Sequence, residues 1–215
     1  MIALALATAV VLVVLIGPLL LGIAGWRHVR AAPSAVAPPA WDWTRVIVSA
    51  LIYTLAFNLT FFVQELFLVL PKALTPGLQP TLFHNNHRWN GDNPLAGLFQ
   101  GTGALATALV GLACLWAVRH LPPRSVKSRL FGIWMAYCGL LMALPQVVIG
   151  ALSTGSDVGM AMEYLHLAAT TKAAAALLAL AAMPLVALRL VRPLLETARE
   201  PLQIGDPVAR TRFVV

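Results

Sequence analysis

His84 and His87 stand three residues apart in a polar segment between two long apolar runs, and Glu65 lies in the run that precedes them. Far along the chain Glu163, His166 and Thr170 fall at helical spacing on one face. Imidazole and carboxylate together suit Zn, Cu, Mn or Fe, and they are also the usual general acids and bases. This composition nominates His84, His87 and His166 as ligands of a divalent transition metal. Glu65, Glu163 and Lys172 are the candidate catalytic groups, while Asn58, Gln100 and Gln146 supply amides that could hold a bound molecule.

These residues can meet only if the apolar runs around them pack together. Five runs, about 2–25, 46–70, 95–118, 130–151 and 159–188, each approach or exceed the ~20 residues a helix needs to cross the hydrocarbon of a bilayer. The expected fold is all-α: one transmembrane domain over 1–196, with a four-helix bundle, a peripheral N-terminal helix and a polar tail over 197–215. Gln100, Gly103, Thr107, Gly111 and Cys114 form one stripe, and Gly132, Met135, Gly139, Met142, Gln146 and Gly150 another. Small residues at such spacing let helices approach closely in lipid, which predicts packing faces and turns Gln100 and Gln146 into the bundle. Thr54, Asn58 and Glu65 share a face of the second span. Lys172, well inside the fifth, is expected to face away from Glu163 and to pair with Asn58.

Lysine and arginine alternate between loops. Arg27, Arg30 and Arg45 follow the first span; Arg119, Arg124, Lys127 and Arg129 follow the third; Arg189, Arg192, Arg199, Arg210 and Arg212 follow the fifth. The other two loops hold Lys72 with Arg88, and Asp157 with no basic residue. The positive-inside rule then places the N-terminus outside, the C-terminus inside and loop 71–94 outside, in a multi-pass protein of a bacterial inner membrane. Trp26, Trp41, Trp43 and Trp116 fall toward the basic interface and Trp89 toward the other. The first apolar run is too long for an ordinary signal core and its charges follow it, so it reads as a retained anchor. Residues 31–40, rich in Pro and Ala, read as an extended connector.

Composition excludes several function classes. Of 215 residues 60% are hydrophobic and only 11% charged, and the mean hydropathy is +0.82. The net charge of +7 lies at helix ends instead of on a basic face, which argues against a nucleic-acid partner. The bilayer itself and a membrane-protein partner remain. Cys114 and Cys138 sit in different spans without a CxxC, excluding the usual dithiol motif. No Gly-rich phosphate loop, HExxH or GxSxG is present.

The loop 71–94 is far longer than two helices need for a connection, which marks it as a lid or binding segment. Asn93-Pro94 is a helix start. Within the loop, His84-Asn85-Asn86-His87 resembles a fragment of the histidine boxes of membrane di-iron desaturases. That likeness spans four residues, Arg88 stands where the next ligand would fall, and the chain's five histidines are too few for such a centre. The resulting expectation is an outward-facing site at the mouth of the bundle that takes a metal or a lipid head group. The alternatives are an accessory or assembly subunit of a larger membrane complex, and a small carrier or ion pathway.

Overall fold

The structure, a computed structural model, describes residues 2–31, 42–83, 86–122, 125–198 and 204–214. His84 and most of the Pro/Ala connector lie outside the described residues. Among the described residues five helical spans are long and apolar enough to cross a membrane: Ala3–Ala31, Trp43–Ala73, Leu95–Val118, Val126–Leu152 and Ala169–Leu195. This is the architecture of a multi-pass membrane protein.

The first span consists of α1 (Ile2–Val10), a wider π-helical turn over Val11–Ile16, and α2 (Gly17–Ala31). Pro18 has no N–H to give, and in a regular α-helix its ring would crowd the carbonyl of Val14. The Gly17 N–H instead reaches Leu12 O, and the widened turn lets the helix continue past the proline. Leu6 packs with Val148, Ala176, Ala179 and Leu180 of the bundle, whereas α2 buries no residue.

Helix α3 (Trp43–Ala73) is capped by Asp42, which accepts the Arg45 N–H, and it runs three residues beyond the expected end of its span. The loop expected after it, 71–94, is partly a β-hairpin. Strands β1 (Gln79–Leu82) and β2 (His87–Asn90) pair antiparallel, with Leu82 opposite His87 and Pro80 opposite Trp89. The purely helical expectation therefore misses one small sheet. At its base Gly91, with φ +111°, lies so close to the Gly77 carbonyl that any Cβ would sit 1.9 Å from that oxygen. Only glycine fits there.

The third span bends. Asn93 accepts the Leu95 N–H to open α4 (Leu95–Phe99), and Gln100-Gly101 separate it from α5 (Thr102–Val118). Helix α6 (Val126–Leu152) is central, packing against α3, α5 and the last span. Where α5 and α6 cross, a Cβ on Gly139 would meet Thr107 O at 2.6 Å and Gly111 Cα at 2.8 Å. The backbones themselves are in contact there, which is what the stripes of small residues imply.

The expected fifth helix over 159–188 is in fact two. Helix α7 (Asp157–Tyr164) is capped by Ser156 and ends in a Schellman motif: His166 N–H bonds Glu163 O and Leu167 N–H bonds Met162 O. His166 takes the left-handed position, φ +49°, that glycine usually fills. Ala168 is extended, and α8 (Ala169–Leu195) starts afresh.

At the end opposite the hairpin, arginines tie helix ends together. Arg45 donates to Thr197 Oγ1 at 2.7 Å and to the Thr197 carbonyl. Arg129, only 4% exposed, donates to Leu121 O at 3.0 Å and pairs with Glu196, which also meets Arg192. These contacts satisfy carbonyls that α5 and α8 leave open at their C-termini. A short α9 (Pro207–Val214) packs against α2 and α8.

Because Gly139 faces backbone atoms that cannot swing aside, Gly139→Ala should lower the stability of the solubilised protein by about 1–3 kcal/mol. Gly22→Ala, with nothing within 4 Å of the added methyl, should leave it unchanged or slightly raised. Thermal midpoints in one detergent compare the two.

Candidate functional site

The last turns of α3 carry more buried polar chemistry than any other stretch of the described chain. Gln64, Glu65 and Lys72 are all buried, Glu65 at 5% exposure and Lys72 at 0%. Glu65 and Lys72 are seven residues apart and share a helical face. Opposite them Gln100, 2% exposed, sits at the bend between α4 and α5. The hairpin closes over this face. Its strand alternation points Pro80, Leu82, His87 and Trp89 inward and leaves Arg88 and Asn90 outside.

A connected network results. His87 Nδ1 lies 2.8 Å from Glu65 Oε2, and His87 Nε2 lies 3.1 Å from Gln100 Oε1. Lys72 Nζ donates to Leu68 O at 2.7 Å and to the same Gln100 Oε1 at 3.4 Å. Its ammonium also lies 4.8 Å from the centre of the Trp89 ring, on which His87 stacks. Turning the Gln100 amide over would aim its NH₂ at the ammonium, so the lysine fixes the amide's orientation. Both ring nitrogens of His87 then face oxygen acceptors. Glu65 and Gln100 thereby hold the ring between two side chains.

Asp157, at the start of α7, completes the electrostatic surroundings. Burial pushes its carboxyl above the ordinary aspartate pKa; His87 and Lys72 pull it down and Glu65 adds to the rise. Beneath the network, Gln146 Nε2 donates to Gln64 Oε1 at 2.9 Å and to Met142 O at 3.1 Å, linking α6 to α3. Chemically, the assembly offers a carboxylate–imidazole pair able to hold or move a proton. It also offers a lysine that makes no ion pair within 4 Å among the described residues.

The structure brings together Glu65, His87 and Gln100 of the sequence-derived candidates, and it places Gln146 one layer below through Gln64. It separates the rest. Lys172 is in the first turns of α8, not deep in a continuous helix, and the break at His166 lets it pair with Glu163. Asn58 is not its partner: the Asn58 side chain is exposed and bonds the Thr54 carbonyl of its own helix at 2.8 Å. His166 is exposed and serves the Schellman turn. Among the described residues no three His, Cys, Asp or Glu side chains are grouped to hold a metal ion. The metal set His84, His87 and His166 therefore loses its geometric basis: His87 is occupied by Glu65 and Gln100, and His84 lies outside the described residues.

Lys72, Trp89 and Asp157 are the functional candidates that sequence reasoning missed. Lys72 falls beyond the expected span, which ends at 70, yet Pro71 and Lys72 both lie within the last turn of α3. The seven-residue step from Glu65 was the available signal for Lys72, and the two-residue step from His87 was the signal for Trp89.

Comparison with known proteins finds no family model, no curated protein and no solved structure that matches this chain.

The two glutamates should respond differently to truncation. Glu65→Ala strands the buried His87 and should cost roughly 3–5 kcal/mol. Glu163→Ala, removing a half-exposed partner of Lys172, should cost no more than about 1 kcal/mol. Chemical or thermal unfolding in detergent compares them. For Asp157, a carboxyl whose pKa rises on folding adds stability below its unfolded pKa and loses it as pH climbs through the folded value. Asp157→Asn should therefore be more stable than wild type at neutral pH, with the gap closing below about pH 4. An unfolding series from pH 4 to 8 gives the sign.

Proposed function

We propose that this integral membrane protein binds a lipid head group bearing an anionic phosphate at the hairpin end of its bundle, on the outer side of the membrane. The observation that carries the reading is Lys72, a fully buried ammonium at the mouth of the bundle without an ion-pair partner among the described residues. Glu65 is engaged by His87, which leaves Lys72 as the cation available to a ligand.

The hairpin is the element that admits the ligand. It covers the site with Trp89 and His87, and displacing the Trp89 ring from Lys72 would open the ammonium and Gln100 while His87 stays on Glu65. A phosphate entering there would accept from the lysine and from His87 Nε2, displacing Gln100 Oε1 as the shared acceptor. Glu65 acts by holding His87 toward the ligand. The unequal distribution of lysine and arginine between the two ends supports the outward placement.

Lys72→Met keeps the length and apolar packing of the side chain while removing its charge. In nanodiscs of a phosphate-free lipid doped with phosphatidylglycerol, binding of the doped lipid by native mass spectrometry should weaken roughly tenfold to a hundredfold in this variant. Equal retention by wild type and variant would refute the assignment of Lys72.

A further inference from the structure

Asn58 is the central residue of the thirty-one in α3, so it lies near the middle of the hydrocarbon. Its side chain is exposed on the outside of the bundle, opposite the face on which Ala56 and Thr60 are buried. One amide hydrogen goes to Thr54 O. The second hydrogen and the Oδ1 acceptor have no partner among the described residues. Lipid tails can cover the leucines of this face, but they cannot bond an amide.

The spacing around Asn58 says what can. Ile47, Leu51, Thr54, Asn58 and Phe61 follow steps of four, three, four and three residues, the a/d rhythm of a two-helix seam. The first four are exposed and Phe61 is partly covered. The seam carries no charge, and a single central asparagine is the residue that sets register in such pairs. A primary amide is both donor and acceptor, hence complementary to a copy of itself. Two copies inserted the same way bring their Asn58 residues to equal depth about a two-fold axis along the membrane normal.

We propose that the protein forms a parallel homodimer through α3, with the Asn58 amides of two copies bonded to each other across the seam. The proposal does not rest on the hairpin-end site: the same stripe continues to Glu65, Leu68 and Lys72, but these are buried within the protomer, so the seam ends at Phe61.

The test uses the full-length chain reconstituted in liposomes over a range of protein-to-lipid ratios, with subunits counted by single-molecule photobleaching. Wild type should dimerise, Asn58→Ala should weaken the dimer about threefold to thirtyfold, and Asn58→Gln should retain most of it. Because Asn58 bonds only its own helix within the protomer, an unchanged thermal midpoint will show that Asn58→Ala is folded. Leu51→Cys should cross-link between copies in oxidised membranes, whereas Phe67→Cys, on the far side of α3, should not. A wild-type monomer at every ratio, dimerisation indifferent to Asn58→Ala, or equal cross-linking at both cysteines would overturn the proposal. So would capture of Asn58 by a different membrane protein with no self-association.

Discussion

In hydrocarbon a polar group has no water to fall back on, so each one must find a partner inside the protein or face another polar surface. That constraint organises this fold more than hydrophobic burial does, because apolar residues are equally at home against lipid and against each other. It accounts for the concentration of Glu65, Lys72, His87 and Gln100 in one closed network at a single end of the bundle. It also accounts for Arg45 and Arg129 at the other end, which bond the Thr197 and Leu121 carbonyls. Between these two polar layers, contact rests largely on shape, with the Gly139 backbone against that of Thr107 and Gly111.

The network is economical in its use of elements. One helix supplies the acid and the lysine, a bend in the next supplies the amide, and a hairpin of two four-residue strands supplies the imidazole and the indole. Gln100 is the junction, since its single oxygen meets both His87 and Lys72. Removing opposite charges from water is costly unless the geometry satisfies the remaining donors and acceptors, and here the backbone carbonyl of Leu68 and the Trp89 ring supply what the side chains do not.

Much of this was legible in the sequence. Hydropathy located all five spans, because a length of apolar residues reports directly on the bilayer. Helical periodicity brought Glu65, Gln100 and Gln146 to the right end, and stripes of glycine foretold the crossing of α5 and α6. What escaped depended on local geometry that composition does not carry. The apolar run stops at Leu70 while α3 continues to Ala73, and this hid Lys72. His166 in a left-handed turn gives no signal that separates it from a helical histidine, so Glu163 and Lys172 were held apart when the turn joins them. The pairing of β1 with β2 follows alternation over only four residues each, too short to stand out against a polar loop.

The break between α7 and α8 bears on how the protein is made. A translocon hands hydrophobic segments to the bilayer one at a time, and α7, with eight residues, is too short to be handed over as a span. Helix α8 must therefore insert on its own length, after α6 has already crossed. Asp157 and the Ser156 cap reach their places only when α7 folds back against α4. Glu65, Lys72, His87 and Gln100 all come from residues 65–100, so a nascent chain carries that network in the membrane before Asp157 arrives beside it.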